Sequence, residues 1–184
     1  MNKQQQKLLH YSYDLLATRR YTISEMIKKL DGKNQKITSP CTADELAEIL
    51  ASLIKSNFLN DKTFAEFFID AQIRRRPTGI FKLKQQLKLK GVEPAIITQA
   101  INSAALDETL LARHLLQKKL ASMRITPADL ETPSSFDSYL DRHLHHTQQL
   151  KLKQKLYRHL LSHGFPATTI SKLLNTASIM EDAE

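Results

Sequence analysis

An internal repeat constrains this chain more than any other feature. With Gly91 laid on Gly164, the segment KLKQQLKLKGVEPAIITQAINSA falls over KLYRHLLSHGFPATTISKLLNTA without a gap. Leu83 meets Leu156, Leu87 meets Leu160, Val92 meets Phe165, Ile97 meets Ile170, Ile101 meets Leu174 and Asn102 meets Asn175. In each copy, apolar residues four apart mark a helix that runs into a glycine, the residue that most readily takes the left-handed backbone ending a helix. A second helix follows at once. In the first copy Pro94 suits the opening turn, where a missing N–H costs nothing, and Ile97, Ala100, Ile101 and Ala104 form the expected buried stripe. In the second copy Pro166 stands one place earlier relative to the glycine. Upstream, DKTFAEFFIDAQ parallels ETLLARHLLQK, with Phe64, Ala65 and Phe68 over Leu111, Ala112 and Leu115, so each unit has three helices.

A weaker copy begins the chain. Met26 and Leu30 keep the helical spacing, Leu46, Ile49, Leu50, Leu53 and Ile54 form a second stripe, and Thr42 with Glu45 makes a capping box ahead of it. The expected fold is therefore all-α, with tandem three-helix repeats stacked into an elongated, curved helical array that offers a concave face. The units run over 1–59, with an inserted loop near 31–41, over 60–105, and over 106–184, with an insertion near 124–149. Within the second insertion Phe136, Tyr139 and Leu140 suit a short docked helix. Cys41, in TSPCTAD, reads as a solvent-facing loop thiol.

Composition agrees. The 184 residues are 41% hydrophobic and 25% charged, with four glycines and no tryptophan, the balance of a soluble helical protein. No segment approaches the ~20 apolar residues of a membrane span, nor does the N-terminal stretch read as a signal peptide, so a cytoplasmic protein is expected. One cysteine excludes an internal disulfide and a cysteine-rich zinc site. The formal charge of +8 is unevenly placed. Between Gln72 and Gly91 the chain carries Arg74, Arg75, Arg76, Lys82, Lys84, Lys88 and Lys90 with no acid; between Arg142 and Met180 it carries Lys151, Lys153, Lys155, Arg158 and Lys172, again with none. Such runs give a one-signed field that attracts nucleic acid or an acidic protein surface.

Three segments resemble the RecX family. In FLNDKTFAEFF the matching residues are Phe58, Leu59, Asn60, Asp61, Phe64, Ala65 and Phe68. Their local reading is a helix start, with Asn60 or Asp61 as cap and Leu59 folding back on Phe64 as a staple if Asn60 is the cap. RRRPTGIFKLKQQLKLKGV is similar to the family's middle unit through Arg75 or Arg76, Gly79, Lys82, Leu83, Leu87, Lys90, Gly91 and Val92. KQKLYRHLLSHGF is similar to its C-terminal unit through Leu156, Leu160, Gly164 and Phe165. Two positions depart from the family pattern. Asn57 stands where glycine is usual, and His163 stands where an arginine precedes the last glycine, which puts a fixed charge there in doubt.

The resemblance implies a non-enzymatic regulator that lies on the RecA–DNA filament and reduces filament growth, ATP hydrolysis and strand exchange. It implies no cofactor, RecA as partner, possible contact with single- or double-stranded DNA, and a monomer that does not engage membranes. The residues carry no phosphate loop, no recognised metal-ligand spacing and no nucleophile signature. His143, His145 and His146 read as solvated loop histidines rather than ligands. The cations of the middle run, with Lys151, Lys153, Lys155 and Arg158, either form the contact surface or merely keep helices soluble. Phe58, Phe64, Phe68, Phe81 and Phe165 read as core, since stacking on bases would require exposure. The alternative to a RecA-directed role is a helical DNA-binding protein acting without RecA.

Overall fold

Short polar side chains determine where the helices begin. A computed structural model describes residues 2–126 and 139–175, with side chains in its last long helix from residue 142 onward. The described residues form helices and connecting turns, without strands. In chain order the helices are α1 (Lys3–Thr18), α2 (Ile23–Asn34), α3 (Ala43–Lys55), α4 (Asp61–Arg75), α5 (Ile80–Leu89), α6 (Pro94–Ser103), α7 (Glu108–Met123), α8 (Tyr139–Ser162) and α9 (Ala167–Asn175). Thr42 and Glu45 cap α3 reciprocally, each backbone N–H meeting the other's side chain at 2.8 and 3.3 Å. Asn60, not Asp61, caps α4, accepting from the amides of Lys62 and Thr63 at 3.0 and 3.2 Å. Pro94 opens α6 at the expected place, and Pro166 directly precedes α9.

The helix ends repeat as faithfully as the starts. Gly91 and Gly164 both sit in left-handed backbone, at φ of 80° and 84°. Beyond each, the next amide reaches back to the carbonyl of a buried leucine: Val92 to Leu87 at 3.2 Å and Phe165 to Leu160 at 3.4 Å. Asn57 takes the left-handed turn at φ 59°, so the asparagine does the work of the family's glycine. The matched apolar positions are matched in burial too: Leu83, Leu87, Leu156 and Leu160 are wholly buried, as are Val92 and Phe165 to within a few per cent.

The chain divides into two compact units, one of residues 1–70 with 84–104 and the other of residues 71–83 with 105–184. The first unit has a core of Leu8, Tyr21, Met26, Leu30, Ile49, Leu53 and Leu59. The second is built on Ala112, Leu115, Leu116, Leu120, Leu156, Leu160, Phe165 and the α9 stripe Ile170, Leu173 and Leu174.

Each unit contains the same polar junction. In the first, the Thr22 hydroxyl donates to the Lys90 carbonyl at 2.7 Å, and the Asp61 carboxylate accepts from the Ile23 amide at 2.8 Å. In the second, the Gly79 amide donates to the His163 carbonyl at 2.9 Å, and the Glu108 carboxylate accepts from the Ile80 amide at 2.7 Å. Lys90 and His163 each precede the left-handed glycine. Ile23 and Ile80 each open the second helix of a repeat, and Asp61 and Glu108 each open the first helix of the next. A free amide at a helix start is thus satisfied by a carboxylate from the following repeat. Burial, chiefly, and the Glu25 charge raise the Asp61 pKa, against the lowering effect of the Ile23 hydrogen bond. Asp61→Ala leaves that amide unpaired and is expected to cost about 1–3 kcal/mol. Asp61→Asn keeps an acceptor and should retain most of the stability in a urea titration; equal losses from the two variants would refute the carboxylate's capping role.

Several expectations need correction. Cys41 is 7% exposed and packs in the first core, because Asn34 holds its backbone from both sides, donating to the Cys41 carbonyl at 2.9 Å and accepting from its amide at 2.8 Å. Helix α2 continues through Gly32 to Asn34, so the break in the first unit is shorter than 31–41. Helix α8 begins at Tyr139, so His143, His145 and His146 are helical rather than in a loop; Leu144 and Leu150 leave that stretch with little apolar periodicity to reveal it. Tyr139 and Leu140 open this long helix, and Phe136 lies outside the described residues. Ala104 falls past the end of α6 and is exposed, whereas Ile97, Ala100 and Ile101 are buried as expected.

Candidate functional site

The acid-free runs supply cations of two kinds, which only their surroundings distinguish. Lys90 and Lys82 are tied into the fold. The Lys90 ammonium lies 3.0 Å from the Glu25 carboxylate and 5.7 Å from the ring centroids of both Phe64 and Phe68. Burial acts to raise the Glu25 pKa, but Lys90 and Arg19 together outweigh it and leave the carboxyl below its ordinary value. The Lys82 ammonium donates to the Ser162 carbonyl at 2.7 Å, at the end of α8. Lys84 and Lys88, one turn apart on α5, are exposed. So are Lys151, Lys155 and Arg158, whose spacing of four and then three residues aligns them along one face of α8. Lys153 is half-buried and, with Arg158, Tyr157, Ser171 and Leu174, lines a cavity of about 530 Å³ between α8 and α9.

Arg75 and Arg76 lie elsewhere, in a cleft of about 230 Å³ within the second unit. They stand at the C-terminal end of α4, just before the buried turn of Pro77, Thr78 and Gly79, where the Thr78 hydroxyl donates to the Arg76 carbonyl at 2.9 Å. Lys118, Lys119 and Ser122 of α7 and His159 of α8 complete the polar lining, and among the described residues no acid lines it. Arg74 is exposed but does not line the cleft. Burial is the main reason the His159 pKa falls below its ordinary value, followed by the neighbouring His163 ring, Lys119 and Arg76. His163 is buried, its ring centroid 4.6 Å from that of His159, and its Nδ1 lies 2.7 Å from the His159 carbonyl. Its pKa is also lowered, first by burial and then by Arg76 and Lys82, against a backbone hydrogen bond that raises it. The histidine before Gly164 thus stands where an arginine would bring a fixed charge, in surroundings that disfavour the imidazolium.

Lys118, Lys119 and His159 were not among the candidates that sequence suggests. A signal for the two lysines exists: from Thr109 to Ala128 the chain carries Arg113, Lys118, Lys119 and Arg124 and no acid, a third run of the kind already noted. The remaining motif residues are structural. Leu59, Phe64, Ala65, Leu83, Leu87, Leu156, Leu160 and Phe165 are buried, and Phe68 is half-buried, stacked on Phe64 with centroids 6.1 Å apart. Phe58 and Phe81 depart from the core reading, being 54% and 71% exposed. Phe58 follows the left-handed Asn57 and meets Tyr13 edge-on at 5.2 Å, while Phe81 lies two residues before the buried Leu83, on the opposite side of α5.

A family model described as RecX, second three-helix domain, matches residues 60–101. The regulatory protein RecX of Pasteurella multocida is 32% identical over 158 residues, covering 85% of this chain and 79% of that protein. The regulatory protein RecX of Mannheimia succiniciproducens is 28% identical, covering 91% and 92%. The crystal structure of RecX from Lactobacillus salivarius superposes with a TM-score of 0.68 at 20% identity, over 96% of this chain and 97% of that one, a likeness of fold. Among the described residues no helix is long and apolar enough to cross a membrane.

Proposed function

The chain belongs to the RecX family of regulatory proteins, and on that premise we propose that it binds the RecA–DNA filament and restrains its ATPase and strand-exchange activities. Family membership is the observation that carries this reading, and the charge distribution supports it. Lys84 and Lys88 on α5, Lys151, Lys155 and Arg158 on α8, and the cleft of Arg75, Arg76, Lys118 and Lys119 present cations to any polyanion that approaches. These are the groups not already held by Glu25 or by the Ser162 carbonyl, which separates them from Lys90 and Lys82. No catalytic constellation is needed for such a role, since occupying a filament surface is sufficient to hinder subunit addition and turnover.

A second reading, direct binding to DNA without RecA, draws on the cleft, whose lining among the described residues holds four cations and no acid. The two readings differ in what the free protein does. Titrating RecA-filament ATPase with this protein should show inhibition at substoichiometric or stoichiometric ratios, weakened as salt rises from low to physiological ionic strength. DNA binding by the protein alone should be much weaker than its association with assembled filaments. Absence of inhibition at every ratio and both salt concentrations would sink the RecA reading, and tight binding to free DNA would then favour the second.

A further inference from the structure

The cleft walled by α7, α8 and the end of α4 differs from an ordinary charged surface in being concave, in drawing cations from two separate stretches of the chain, and in containing a titratable ring. We infer that it is a binding site for phosphate groups of a nucleic-acid backbone, with Arg75, Arg76, Lys118 and Lys119 as charge partners and His159 and Ser122 as further donors. The assignment is independent of whether RecA is the protein partner.

Three observations lead to phosphate. Among the described residues, four side chains of fixed positive charge and no acid line about 230 Å³, so each lies in the repulsive field of the others until an anion enters. Offsetting that field takes more than one negative charge in a small space. A nucleic-acid strand supplies one at every ~3.4 Å of axis, whereas acidic residues on a folded protein surface repel and must be held together by other contacts. The donors are also of the kind phosphate uses: two guanidinium groups for bidentate pairing, two ammonium groups as point charges and a hydroxyl. The positions are braced: Pro77, Thr78 and Gly79, which follow the arginines in the chain, are buried, and Leu115 on the lining is buried too.

His159 couples occupancy to protons. The groups that act on it are the His163 ring from the turn after α8, Lys119 from α7 and Arg76 from just beyond α4, with Lys82 of α5 acting on His163; none of these is acidic. Burial and these neighbours disfavour the imidazolium in the empty cleft. A bound phosphate opposes the cationic contribution and favours it, so the bound form takes up a proton that the free form does not hold. The sign follows from linkage: the histidine pKa is higher in the complex, so affinity rises as pH falls through the interval between the bound and free values and is level outside it. Each unit of pKa rise corresponds to about tenfold in affinity between the two plateaus.

The test uses the whole chain and a fluorescein-labelled single-stranded oligonucleotide followed by anisotropy between pH 5.5 and 8, with the His159 ring proton followed by NMR and assigned against His159→Gln. The expected result is a raised His159 pKa in the presence of the oligonucleotide and pH-dependent affinity that flattens in His159→Gln. Lys118→Gln with Lys119→Gln should weaken binding at least about tenfold, through loss of two phosphate partners, with an unchanged circular dichroism melt. A His159 pKa that the oligonucleotide leaves unmoved overturns the proposal, and this wild-type measurement stands even where a variant fails to fold. Two other results also overturn it: an equal shift with inorganic phosphate at matched phosphate concentration, which identifies a free-phosphate site, and a shift produced by a polyglutamate peptide but not by the oligonucleotide, which identifies a carboxylate site.

Discussion

Gly79→Ala is expected to destabilise the protein by about 3–5 kcal/mol and to lower its melting temperature by roughly 10 °C, although alanine is the smallest possible addition. A Cβ at position 79 would collide with the backbone carbonyl group of Gly164 and with the amide nitrogen of Phe165. Both are backbone atoms of the left-handed turn that ends α8, so no side chain can rotate away. The same displacement would break the 2.9 Å bond from the Gly79 amide to the His163 carbonyl, in a turn where Thr78, Gly79 and His163 are all buried. Gly32→Ala provides the contrast. It lies within α2, a Cβ there would meet nothing within 4 Å, and replacing a helical glycine by alanine should raise stability by up to about 1 kcal/mol. Thermal melts of the two variants should move in opposite directions. If Gly79→Ala melts with the wild type, the close approach of the two turns is wrong.

Reversing Arg75, Lys84 and Lys88 together to glutamate is expected to weaken inhibition of RecA ATPase by at least about tenfold while leaving helicity unchanged. The three side chains are solvent-exposed, and their replacement changes six units of charge without touching a core leucine. Lys82 and Lys90 belong to the same run of sequence but are unsuitable for this purpose. Lys90→Glu would set a second carboxylate beside Glu25 and remove the cation that sits by Phe64 and Phe68, so lost stability would be mistaken for a lost contact. ATPase titrations of the triple variant, paired with circular dichroism, separate the two effects. Inhibition at the wild-type midpoint would exclude this group of cations as the filament contact.

Local chemistry accounts for what could be read in advance. The Thr42–Glu45 box, the Asn60 cap, Pro94 at the start of α6 and the left-handed Gly91 and Gly164 depend on residues within a few positions of one another. The buried leucines of α5 and α8 were legible because a four-residue period identifies one face of a helix. The same reasoning failed at Phe58, Phe81 and Cys41. Whether an aromatic or thiol is covered depends on which element packs over it, and in this protein a distant helix or an asparagine seven residues away decides.

By itself, then, the sequence determined an all-helical chain, the three-helix repeat, the starts of α3, α4 and α6, the glycines that end α5 and α8, the cationic character of the surface and the family. Those properties are set by periods of three and four residues and by net charge, neither of which needs a partner in space. Tertiary structure alone decided which cations are available. Lys82 is used by a carbonyl 80 positions away and Lys90 by a carboxylate 65 positions away, whereas Arg75 and Arg76 join Lys118, Lys119 and His159 in one cleft. A charge has the same sign wherever the chain carries it, but its freedom to bind depends on the nearest opposite charge or carbonyl, and that distance exists only in the folded molecule.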